Sequence, residues 1–190
     1  MKPERMTAFT NGVIAIIITI MVLALPVPRG PSLSAIEPML PIFGAYALSF
    51  VNVAIFWVNH HHMVQRARKV DGHVLWANNF LLFWLSMVPF VIRWVGEQGF
   101  QRVPIAAYGV TLTMAALGYS WLEYALIRAD GEGSKVKEAV GTDIKGHASL
   151  LLYMVSIPAA LFISPMVAVA IYILIALLWF IPDQRYERVE

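Results

Sequence analysis

The feature that most constrains this chain is where its charges are missing. No Asp, Glu, Lys or Arg occurs in residues 6–28, 38–65, 72–92, 103–122 or 146–182, runs of 23, 28, 21, 20 and 37 residues. About 20 mostly apolar residues in a helix cover the hydrocarbon core of a bilayer. Four runs fit one helix each. The fifth fits two, broken at Ser164-Pro165. The expectation is an all-α integral membrane protein with six spans, roughly 8–25, 41–62, 74–94, 104–127, 147–163 and 166–182, forming one membrane domain over 1–190. Barrel strands alternate apolar and polar residues over about ten positions, a pattern absent here. Leu25-Pro26-Val27-Pro28 makes a poor signal-peptidase site, so the first run reads as a retained span.

Composition narrows the class further. Of 190 residues, 59% are hydrophobic and 14% charged, against about half and about a quarter in soluble domains. That excludes a disordered chain, a coiled coil and an ordinary soluble enzyme. With no cysteine, disulfides, thiolate metal sites and cysteine nucleophiles are excluded.

The basic residues orient the spans. Lys2, Arg5, Arg66, Arg68, Lys69, Arg128, Lys135, Lys137, Lys145, Arg185 and Arg188 fall on one side, and Arg29, Arg93 and Arg102 on the other: eleven and three make the total of 14. The positive-inside rule then places both termini in the cytoplasm. This asymmetry accounts for the formal charge of +2 without a nucleic-acid partner. Residues 128–146 mix both signs and read as a flexible, solvated cytoplasmic connector.

One stripe on the first helix has helical spacing: Arg5, Phe9, Gly12, Ile16, Thr19 and Leu23, in steps of four, three, four, three and four. Ile20 flanks it. Thr19 is polar within an apolar span. Its hydroxyl either bonds back to a carbonyl one turn earlier or serves a functional role.

Arg5-x-x-x-Phe9-Thr10-Asn11-Gly12 resembles the signature opening the first helix of the transmembrane protein 175 family of potassium channels, usually Arg-x-x-x-Phe-Ser-Asp. Phe56-Trp57-Val58-Asn59-His60-His61-His62 resembles the end of the family's second helix. Trp76-Ala77-Asn78-Asn79 through Met87-Val88-Pro89-Phe90 resembles its third. The closing Trp179-Phe180-Ile181-Pro182-Asp183 is similar to bacterial members. The resemblance implies a multi-pass protein of the bacterial inner membrane, a homotetramer with one six-helix repeat per subunit and four first helices around a central pore. It implies apolar constriction rings at Ile16, Ile20 and Leu23, and a threonine layer at Thr19 that contacts the permeant potassium ion. It implies a structural network of Arg5, Phe9, Thr10, Asn11, Trp57 and His60, with Trp57 and His60 near Arg5. Thr10 keeps the family hydroxyl. Asn11 replaces the family carboxylate by an amide, so an ionic network becomes one of hydrogen bonds. No Thr-Val-Gly-Tyr-Gly filter occurs.

His60-His61-His62 invites a metal reading, but successive helical residues point about 100° apart and do not converge on one ion. No resident metal or cofactor is expected, and no soluble protein partner. Asn52, Asn59, Asn78 and Asn79 read as interhelical hydrogen-bonding groups. Pro89 and Pro158 should kink their helices. No nucleophile triad or phosphate loop appears, so the chain is not read as an enzyme. The rival class is a secondary transporter or a membrane-bound enzyme. A transporter usually shows internal repeats around a midplane site, and no convincing repeat relates 1–95 to 96–190.

Overall fold

The computed structural model describes residues 2–141 and 143–180. The end of the sixth expected span, the Ile181-Pro182-Asp183 motif, Arg185 and Arg188 lie outside the described residues. Every described regular element is helical: α1 (Pro3–Leu23), α2 (Leu40–Gln65), α3 (Gly72–Ser86), α4 (Val88–Gln98), α5 (Arg102–Asp130), α6 (Lys135–Val140), α7 (Ile144–Pro158) and α8 (Pro165–Phe180). Two 3₁₀ turns, Leu33–Ala35 and Glu37–Met39, lead into α2. Among the described residues, five helical segments are long and apolar enough to cross a membrane, counting α3 with α4, and α8 is a shorter apolar helix.

Prolines and short polar side chains set the boundaries. Pro3 and Pro41 occupy first-turn positions of α1 and α2, where a missing N–H breaks no helical bond. The side chains of Asp71 and Asp143 cap α3 and α7, accepting from the backbone N–H of Val74 and Gly146. The third span is not continuous. Pro89 has no N–H to continue the ladder, and the chain turns at Met87 to start α4 afresh. Pro158 closes α7, a π turn follows over Ala159–Ile163, and Ser164 is extended ahead of Pro165, as residues preceding proline are.

Helix α5 is the hub, packing on α2, α3, α4, α6, α7 and α8. Gly118 lets α3 come close: a Cβ there would stand 2.9 Å from the Leu81 Cα. Between α2, α5, α7 and α8 the core is polar. Tyr153 donates to Asn52 at 2.9 Å, Ser49 donates to Tyr108 at 3.0 Å, and Tyr172 donates to the Ile105 carbonyl at 3.0 Å. In hydrocarbon such groups must find partners within the protein, and here they bind four helices together.

Residues 128–146 depart from the solvated connector expected of them. They include α6, whose Val136, Ala139 and Val140 are buried against α5 and α2. The spacing of three and four puts those side chains on one face, and the lysines and Glu138 lie on the other.

Candidate functional site: the open face of the first helix

Helix α1 packs on α2, α3 and α4 with one side only. Met6, Thr10, Ile14, Ile17 and Met21 are buried, in steps of four, four, three and four. The other side is open along the whole helix. Phe9 is 57% exposed, Ile16 59%, Ile20 48% and Leu23 81%. Arg5, Gly12 and Thr19 share that face and are also exposed. A Cβ on Gly12 would meet nothing within 4 Å. Only 28% of the most apolar stretch of α1 is buried, against 61% for α5, so α1 is a peripheral helix of the chain.

Apolar exposure alone is what lipid contact would produce. This face differs in carrying an arginine, a glycine and a threonine in register. The hydroxyl of Thr19 donates to the Ile16 carbonyl at 2.8 Å. That geometry leaves the oxygen's lone pairs unused. Beside the face, a groove runs between α1 and α4, lined by Val13, Ile20, Leu23, Pro89 and Phe90, with Arg93 at one end.

Two sets of contacts fix the rotation of α1. Behind it, Thr10 is fully buried and bonds Asn78 of α3, whose amide nitrogen donates to the threonine oxygen at 3.0 Å. The Asn78 carbonyl oxygen lies 2.8 Å from His60 Nε2 of α2. An oxygen there can only accept, so the imidazole donates from Nε2. At the rim, the Trp57 indole donates to Asn11 Oδ1 at 2.9 Å. Trp57 stacks on His61, centroids 5.8 Å apart, and His61 meets the Gln65 amide at 2.8 Å.

Trp57 and His60, expected to pack near Arg5, make their hydrogen bonds to Asn11 and Asn78. Both are tied to the next turns of α1, through Asn11 directly and through Asn78 to Thr10. Among the described residues the Arg5 side chain has no hydrogen-bond or ion-pair partner. The histidines do not converge on one point: His60 points at α3, while His61 lies along its own helix beside Trp57 and Gln65, its ring 5.9 Å from that of His62. Asn78, expected as an interhelical hydrogen-bonding group, is one, and it joins α1, α2 and α3. Its signal was an asparagine in the middle of an apolar run. Asn52 also bonds between helices, whereas Asn59 donates to the Ile55 carbonyl of its own helix.

The stretch that builds this site, residues 5–89, matches the family model described as "Endosomal/lysosomal potassium channel TMEM175". A protein of Chryseobacterium sp. (strain P1-3), named a potassium channel, is 48% identical over 188 residues, 99% of this chain and 97% of that protein. The chain belongs to the transmembrane protein 175 family. A further protein named a potassium channel, from Streptomyces collinus, is 31% identical to this family member over 65% of this chain and 64% of its own length. The fold agrees. The crystal structure of a lysosomal potassium-selective channel TMEM175 homolog from Chamaesiphon minutus superimposes with a TM-score of 0.76 at 26% identity, covering 94% of this family member and 96% of that chain. This family member is accordingly an all-helical membrane protein with a transmembrane protein 175 channel fold.

Proposed function

We propose that four copies of this chain assemble with their α1 helices around a central pore and conduct potassium passively across the bacterial inner membrane, both termini being cytoplasmic. The observation that carries this reading is the two-sided α1. One side is locked to α2 and α3 by Thr10, Asn11, Asn78, His60 and Trp57, and the other is open and carries Arg5, Gly12, Ile16, Thr19 and Leu23.

The chemistry follows from that face. A bare ion in a low-dielectric medium is strongly disfavoured, so a path must keep its water or substitute oxygen for it. Rings of Ile16, Ile20 and Leu23 offer no oxygen. A narrow apolar ring of this kind sheds water and closes the path to ions, which is a gate. Thr19, one turn from Ile16, supplies four hydroxyl oxygens at one level. Potassium holds its hydration water less tightly than sodium and crosses a partly dehydrating ring more readily. The expected preference is therefore modest, weaker than that of a carbonyl-lined filter. Neither a resident metal nor a cofactor is needed, and potassium is the permeant ion.

The test is flux through purified protein in liposomes. Passive potassium movement down its gradient, needing no coupling ion and not saturating like a carrier, supports the channel. Movement only with a second ion present would return the chain to the transporter class.

A further inference from the structure

Where α2 leaves the apolar core, its last residues and the loop after it meet α6. Gln65, Arg66 and Arg68 on one wall and Lys135 and Glu138 on the other line a cleft of about 420 Å³, a size within the range of small-molecule sites. Three cations against one carboxylate leave a formal charge of +2. The floor is apolar: Ala67 and Ala139 are 9% and 3% exposed.

The walls are clamped by one carboxylate. Asp130 Oδ1 accepts from the backbone N–H of Arg68 at 2.9 Å and of Lys69 at 3.3 Å, while Oδ2 accepts from the Ser134 hydroxyl at 3.2 Å. Ser134 in turn caps α6, accepting from the Lys137 N–H. Asp130 thus engages backbone and hydroxyl groups of both loops, and the side chains of Arg68 and Lys135 remain exposed. Exposed aromatics near the cleft argue that it stands where bilayer meets water. Trp76, early in α3, and Tyr124, late in α5, are 70% and 64% exposed at this end, the placement that interfacial aromatics take.

We propose that this cleft binds the phosphate headgroup of an anionic lipid from the adjoining leaflet, with Arg68 and Lys135 as its cationic ligands. Basic clusters at the end of a membrane helix recognise such headgroups. Position favours a lipid over a free anion, because the site opens at the membrane surface and has an apolar floor. Gln65 belongs both to this cleft and to the series His61, Trp57, Asn11 that ends on α1.

Native mass spectrometry of the full chain in detergent tests this, with phosphatidylglycerol, phosphatidylcholine and inorganic phosphate as probes. The parent should retain phosphatidylglycerol over phosphatidylcholine. Arg68→Gln with Lys135→Gln should lower retention by about tenfold or more. A charge-matched control, Lys2→Gln with Arg29→Gln, should retain the lipid as the parent does. Arg68 bonds Asp130 through its backbone, so the double variant keeps the clamp, and circular dichroism checks its helicity. The charge-preserving swap Arg68→Lys with Lys135→Arg should restore binding. Parental retention by the Gln double variant, or equal retention of phosphatidylcholine, overturns the proposal. So does displacement of the lipid by inorganic phosphate at equal concentration, which would mark a soluble-anion site. None of these readouts depends on ion conduction.

Discussion

Thr19 donates its hydroxyl proton to the Ile16 carbonyl at 2.8 Å, which ties the proposed ion-contacting residue to the proposed constriction one turn away. A back-bond and an ion contact look at first like rival roles for one hydroxyl. They use different parts of it: the proton goes to the helix, and the lone pairs are left for a cation. Thr19→Val keeps the shape and deletes the oxygen. We expect the potassium-to-sodium permeability ratio to fall by roughly two- to tenfold, the worth of one modest polar contact, with total conduction changing less. Thr19→Ser should retain the parent ratio. The measurement is the reversal potential with potassium on one side and sodium on the other. A Thr19→Val channel reversing where the parent does would leave the hydroxyl with its helical role alone.

Ile16 lies at the middle of the open face and is 59% exposed in the single chain. Shortening it to alanine removes little from the subunit's own core but would widen an apolar ring built from four copies. A wider ring wets more readily, and conduction should rise by about twofold or more. Single-channel recording of Ile16→Ala reads this directly. Unchanged conductance for both ions would place the narrow point elsewhere.

Asn78 is 1% exposed and serves two partners on two other helices. Asn78→Leu leaves the Thr10 hydroxyl and the His60 ring without their shared partner. Interhelical hydrogen bonds in membranes are each modest, and buried polar groups left unpaired add to the loss, so the expected cost is about 1–3 kcal/mol. A lower thermal midpoint in detergent is the readout. Thr10→Val in the Asn78→Leu background should then cost little more, because the two no longer interact.

Two glycines make opposite predictions. At Gly118 a methyl would collide with the Leu81 backbone at 2.9 Å. Gly118→Ala should therefore force α3 and α5 apart, at about 1–3 kcal/mol. At Gly12 a methyl meets nothing within 4 Å, so Gly12→Ala should leave the subunit's thermal midpoint unchanged or raise it slightly. If Gly12→Ala nonetheless alters conduction, the added methyl is felt only in the assembled pore. Equal destabilisation by both substitutions would contradict the open face of α1.

The open face was legible because it depends only on spacing along one helix. Arg5 to Leu23 in alternating steps of four and three must fall on one side of α1, whatever else the chain does. The spans were legible for a similar reason, since a charge-free run of 20 residues needs no partner to be recognised. What sequence reasoning lost depends on how helices are rotated against each other. An apolar run shows that α3 is buried in membrane, but not that Asn78 points at both Thr10 and His60. The turn at Met87 was hidden inside an unbroken apolar run, although Pro89 marked its place. Helix α6 was hidden by its own charges: Val136, Ala139 and Val140 have helical spacing, but lysines and Glu138 alternate among them.

The bond between Thr10 and Asn78 spans 68 positions of sequence, and that separation acquires a meaning during synthesis. A ribosome adds about 5–20 residues per second, so α1 emerges roughly 3–14 seconds before the asparagine that will satisfy it. Early in that interval the first helix holds a threonine and an asparagine in or beside the bilayer with neither partner yet made; Trp57 follows Asn11 by 46 positions, and Thr10 waits until the end for Asn78. The nascent chain therefore has a waiting period in which its earliest segment depends on whatever else can shelter those groups. Substitutions that make that segment greasier should ease insertion even where they spoil the finished protein.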